Sequence, residues 1–97
     1  MVEAISRNAT VQAVPNQVSS VLGSETVVLQ LKTGTYYGLN EVGSRVWALV
    51  QQPTTLDAIL RAITDEYDVA PETCERDLLE LLYSLQQANL VRVGDAQ

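Results

Sequence analysis

The sequence predicts a small α+β domain of winged-helix type: an N-terminal three-stranded antiparallel sheet followed by three helices. Three observations lead there. Residues 18–40, "VSSVLGSETVVLQLKTGTYYGLN", are rich in β-branched and aromatic residues and are punctuated by Gly23-Ser24 and Thr33-Gly34, the composition and spacing of an antiparallel meander. After Asn40 the apolar period changes from strand-like to helical. Two prolines, Pro53 and Pro71, then divide the remaining chain into three helical segments.

Ninety-seven residues with 46% hydrophobic content support one modest core and therefore one domain. We place it at residues 10–93, with flexible ends at 1–9 and 94–97. Twelve acidic residues against six basic ones give a net charge of -6. That field repels phosphate backbones and anionic lipid surfaces, so neither nucleic acid nor membrane is an expected partner. No apolar run approaches the ~20 residues needed to cross a bilayer. A lone Cys74 and the absence of an apolar signal segment predict a cytoplasmic location. The chain has no histidine; without the commonest general base and metal ligand, neither catalysis nor a cofactor is expected.

Taken in order, "TVQAV" from Thr10 reads as a short extended run that Pro15 and Asn16 break. In the middle strand of the meander, Val27, Leu29 and Leu31 alternate with Val28, Gln30 and Lys32. The first set reads as the packed face and the second as mostly wet. A two-residue turn at Thr33-Gly34 sets Leu31 opposite Tyr36 and Gln30 opposite Tyr37, so the adjacent tyrosines point to opposite faces. Asn40 is a good N-cap for a first helix carrying Val42, Val46, Leu49 and Val50 to about Gln52. Thr54 or Thr55 caps a second, with Leu56, Ile59, Leu60, Ile63 and Tyr67 in one stripe. Pro71 suits the first position of a third helix, which runs to about Ala88. Asn89 then takes a left-handed conformation, and "LVRV" extends over the core.

The third helix carries two apolar stripes. Leu78, Leu81, Leu82 and Leu85 span an arc of about 100° that is sufficient for a core. Leu79 and Tyr83 lie roughly 100° further round, with Arg76 and Gln86 beside them. Two readings of this second stripe stay open on periodicity: it widens the core face, or it forms one wall of a groove. The third strand of the meander would supply the other wall, because an edge without Pro or Lys leaves N–H and C=O groups free for a guest strand. Cys74 and Trp47 read as core residues, despite the helix-terminal position of the one and the ring of the other.

The runs "TGTYYGLNEVGSRVWALV", "TLDAILRAITDEYDV" and "CERDLLELLYSLQQANLV" resemble the PqqD-like family of peptide-recognition proteins over about Val18 to Val93. The resemblance implies a winged helix-turn-helix fold and a non-catalytic adaptor role. The leader segment of a ribosomally made precursor peptide would add as a strand to the third strand and lie along the third helix. Carried onto this chain, the implied contacts are Tyr36, Tyr37, Gly38 and Leu39 on the strand, and Arg76, Leu79, Tyr83 and Gln86 on the helix. The implied partners are that leader and a separate modifying enzyme or leader peptidase, with a lasso-peptide pathway favoured by "TGTYYGLN". A monomer or weak homodimer is expected.

Two other functions compete. A self-pairing structural module would use the same free edge to oligomerise. A winged-helix DNA-binding regulator would need a basic third helix, whereas Arg76 stands there among Glu72, Glu75, Asp77 and Glu80. Ser44 lacks the helix-start context of a carrier protein's attachment site.

Overall fold

In the computed structural model, which describes residues 5–94, the meander forms as the sequence predicts. It comprises β2 (Gln17–Leu22), β3 (Glu25–Gln30) and β4 (Thr35–Leu39), antiparallel in the order β2-β3-β4. Gly23 has φ +67 in the two-residue turn between β2 and β3, a conformation glycine adopts without steric cost. The second turn is longer than expected. Gln30 pairs with Thr35, Leu29 with Tyr36 and Val28 with Tyr37, and the Gly34 amide donates back to the Gln30 carbonyl at 2.8 Å. Residues 31–34 therefore form the loop, and the register differs from the expected one by two residues. A two-residue shift preserves facing, so Tyr36 and Tyr37 still lie on opposite sides.

The packed face of the sheet is the opposite of the one expected. Thr26, Val28 and Gln30 are buried, whereas Val27 and Leu29 are half-buried and Leu31 is exposed. The reason lies at the end of α3 (Pro71–Gln87). The Gln30 amide donates to the Asn89 carbonyl at 2.8 Å and the Ala88 carbonyl at 3.3 Å, and its oxygen accepts from the Lys32 amide at 3.0 Å. A buried Gln is acceptable where all its polar atoms find partners, and here it satisfies carbonyls that a helix end leaves free.

The three helices hold their predicted places. In α1 (Glu41–Leu49) the Asn40 side chain accepts from the Gly43 amide at 2.9 Å. In α2 (Leu56–Glu66) Thr55 accepts from Ala58 at 3.1 Å. Helix α3 starts at Pro71 and closes with Asn89 at φ 59. The Asn89 amide donates to Gln86 at 3.0 Å and the Leu90 amide to Leu85 at 2.9 Å, the paired bonds of a Schellman motif. Trp47 and Cys74 lie in the core with Leu56, Ile59, Leu78 and Leu82.

A second sheet stands beside the meander, where the sequence predicts a single sheet. It has the order β5-β1-β6, in which β1 (Thr10–Ala13) lies between β5 (Thr54–Thr55) and β6 (Val91–Gly94). The "TVQA" and "VRVG" segments pair antiparallel from Thr10 opposite Gly94 to Ala13 opposite Val91. Gly94 thus belongs to a strand rather than to a flexible end. Order also begins before Thr10. Ala9 is buried and Ile5 packs on the core. The Ala9 carbonyl accepts from Leu56 at 3.2 Å and the Arg7 carbonyl from Asp57 at 2.9 Å, so these residues satisfy the first amides of α2. Residues 1–4 and 95–97, also assigned to the ends, lie outside the described residues.

Candidate functional site

Strand β4 ends at a cleft. Its C-terminal residues Gly38 and Leu39, followed by the cap Asn40, form one side of an opening of about 360 Å³. Val42, Gly43 and Val46 of α1 and Ile63 of α2 form its floor, and Val69 lies at its edge. The wall opposite β4 is α3, through Thr73, Cys74, Asp77, Leu78 and Leu81. Local sequence explains the opening. Gly43 sits close beneath the cap, where an added Cβ would stand 3.3 Å from both Asn40 Oδ1 and the Leu39 Cβ. At Gly38 an added Cβ would meet nothing within 4 Å, so the strand leaves open space at its edge. Within the described residues β4 pairs on one side only, with β3, and its other edge offers free backbone donors and acceptors beside the cleft.

The residues singled out from the sequence divide into two groups. Gly38 and Leu39 line the cleft, and the half-buried Tyr37 packs against the core beside them. Tyr36 stands on the outer face of the sheet and is 68% exposed. On α3 the structure gathers a different set. At 100° per residue, Leu81 and Asp77 lie about 60° and 100° to one side of Leu78, with Thr73 beyond them. Leu79, Tyr83 and Gln86 lie about 80–140° to the other side and Arg76 near the back, and none of these four lines the cleft. Leu79 is half-buried against the core, Tyr83 is half-buried, and Gln86 is exposed. Arg76 is exposed and lies 3.7 Å from Asp77. The stripe Thr73-Asp77-Leu81, spaced by one helical turn, was legible as a pattern. Leu81 masks it in the sequence, because the same residue also falls within the core arc of the helix.

Electrostatically the cleft is quiet. Among the described residues Asp77 is its one charged lining residue. Burial pushes the Cys74 thiol above its ordinary value, and Asp77 and Glu75 add to the shift, which opposes a reactive thiolate. Among the described residues no group of His, Cys, Asp and Glu converges as a metal site, and no helix is long and apolar enough to cross a membrane. The arrangement offers an apolar hollow, one carboxylate and a row of backbone hydrogen-bonding groups.

Comparison with known proteins gives this geometry a family. The model described as coenzyme PQQ synthesis protein D (PqqD) matches residues 25–91. The chain belongs to the PqqD family. Among solved structures this PqqD-family chain is similar to TbiB1 in complex with the TbiA(beta) leader peptide. The two share 40% identity over 89% of this chain and 99% of TbiB1, with a TM-score of 0.78. A lasso peptide synthetase B1 complexed with the leader peptide has the same fold at 22% identity, covering 84% of this chain and 96% of that one, with a TM-score of 0.68. A comparison with curated protein sequences found no significant match.

Proposed function

We propose that this protein is a non-catalytic adaptor that binds the leader segment of a ribosomally synthesised precursor peptide and holds it for a separate modifying enzyme or leader peptidase. The observation that carries this reading is the unpaired edge of β4 opening directly onto an apolar cleft walled by α3, in a chain 40% identical to a protein solved with a leader peptide. In this reading the helices and flanking strands serve as a winged helix-turn-helix scaffold. The leader adds as a strand to β4 along Tyr37, Gly38 and Leu39, and an apolar leader side chain enters the hollow between Val42, Val46 and Leu81.

The energetics suit a carrier that must also release. Burying two leader side chains contributes roughly 1.5–3 kcal/mol each, strand pairing adds to this, and ordering the peptide costs about 2–5 kcal/mol or more. The expected dissociation constant is on the order of 0.01–10 μM.

On α3 the proposed contacts are Thr73, Asp77 and Leu81, because those residues face the cleft. The set drawn from sequence pattern, Arg76, Leu79, Tyr83 and Gln86, faces elsewhere and is left out of the groove. Titrating a labelled synthetic leader peptide, such as the TbiA(beta) leader with which the 40%-identical TbiB1 was solved, tests both the function and the wall. By fluorescence polarisation, Leu81→Asp should weaken binding by at least about 100-fold, since it puts a charge into an apolar hollow. Leu79→Asp should bind within a few-fold of wild type provided it remains folded. Loss of binding in Leu79→Asp with retention in Leu81→Asp would move the peptide to the other side of α3.

DNA binding through α3 is disfavoured by a specific observation. Its single cation, Arg76, lies beside Asp77 and in sequence among Glu72, Glu75 and Glu80, so the helix offers phosphate no positive surface.

A further inference from the structure

The meander has a second open edge, on the side away from the cleft. Every residue from Val18 to Leu22 is exposed, with Val18 at 55%, Val21 at 71% and Leu22 at 62%. Strand β2 pairs only with β3 among the described residues. No Lys, Pro or charged residue blunts it, and among the described residues no segment covers it.

Charge makes this edge unusual on an acidic molecule. From Asn8 through Ser24 the chain carries no charged residue, and residues 17–40 hold only Glu25 and Lys32. The helices hold the acids Glu41, Asp57, Asp65, Glu66, Glu72, Glu75, Asp77 and Glu80. Two molecules of net charge -6 repel one another along those helices, and β2 is where they can approach without setting like charges together.

Backbone geometry selects how they meet. The two-residue turn makes Leu22 and Glu25 a hydrogen-bonded pair, so by alternation Ser20 and Val18 also direct their backbone groups toward β3. Ser19 and Val21 direct theirs outward. The Gln17 amide is consistent with this alternation, since it donates to the Pro15 carbonyl rather than to β3. A two-fold axis perpendicular to the sheet pairs an edge with its own copy antiparallel, which is the isologous arrangement. With the axis at Ser20, Ser19 exchanges hydrogen bonds with Val21 of the second copy, and Val18 meets Leu22 of that copy on the outer face. The two exposed apolar side chains that β2 carries on that face thereby become partners.

We infer that β2 is a homodimerisation edge, through which two copies of this chain join antiparallel about Ser20 into a six-stranded sheet, leaving both β4 edges free. The contact is small against the ~800 Å² per partner of a standard interface, so the dimer is reversible, with a dissociation constant of roughly 10–100 μM.

Sedimentation equilibrium of the full chain across that concentration range should show reversible dimerisation that tightens as salt rises, because salt screens the net repulsion. Ser19→Pro removes an outward N–H that β3 does not use, and should weaken dimerisation at least about tenfold while the monomer keeps its circular dichroism. At the axis the two Ser20 Cα atoms stand ~4.5 Å apart as a non-hydrogen-bonded pair, within disulfide reach. Mild oxidation should therefore cross-link Ser20→Cys and leave Ser19→Cys largely monomeric. A chain that stays monomeric throughout, or one that cross-links at Ser19→Cys instead of Ser20→Cys, overturns the inference. So does a dimer that a β4-binding peptide dissociates, since that dimer would be using the other edge.

Discussion

Gln30 and Asp77 carry the chemistry that distinguishes this molecule at the residue scale. Gln30 is 1% exposed and spans from β3 to the two carbonyls just after α3. Replacing it with Leu keeps most of the volume but removes three hydrogen bonds. Gln30→Leu should lower stability by about 1–3 kcal/mol, measured as a shift in urea midpoint at constant slope. The buried Trp47 provides the fluorescence signal. An unchanged midpoint would mean that water satisfies those carbonyls as well as Gln30 does. Asp77 is the cleft's lone lining charge among the described residues and gives a mostly apolar site a preference for a cation nearby. Alternation alone put Gln30 on a wet face, because a pattern of two records which residues share a side and not which side is covered.

At the scale of elements, the second sheet ties the chain ends together. Strand β1 lies between β6 and β5, and the segment before it supplies the carbonyls of Arg7 and Ala9 to the first amides of α2. Arg7 also pairs with Glu75 of α3 at 2.9 Å. Deleting residues 1–9 should therefore lower Tm by more than about 4 °C, readable by thermal circular dichroism. An unaltered Tm would show that α2 caps itself through Thr55 alone. The helices, their caps and the Asn89 stop were legible in sequence because each rests on a local rule about amides and carbonyls at helix ends. Strands β5 and β6 were less so. Two or four residues carry too little pattern, and their pairing partners lie more than 40 residues away in sequence for β5 and about 80 for β6.

For the whole molecule, ion pairs made by its carboxylates set the pH response. Arg45 links α1 to α2 through Glu66 at 2.7 Å, and that hydrogen bond holds the Glu66 carboxyl below its ordinary value of 4.5, against a smaller opposing effect of desolvation. Arg7 acts likewise on Glu75. A carboxylate lowered on folding contributes stability that is fully present above the unfolded value and is lost as pH falls through the folded one. Both pairs are more than a third exposed on at least one partner, so water screens much of the effect. The stability difference between wild type and Arg45→Met should be constant near neutrality, begin to shrink as pH drops below about 4.5, and vanish once pH has fallen through the lowered folded value of Glu66. A difference that persists in acid would assign Arg45 a packing role instead.

The sequence by itself determined the helices, the three-stranded meander, the opposed tyrosines and the family, since these follow from local periodicity, capping and a distinctive order of short motifs. It also placed one wall of the cleft, at Gly38 and Leu39. Tertiary structure decided which face of the meander is buried, how the chain ends pair, and which side of α3 looks toward β4. Those choices depend on what stands opposite each surface: the carbonyls after α3 draw Gln30 inward, and Leu81 rather than Leu79 lines the cleft beside Gly38 and Leu39.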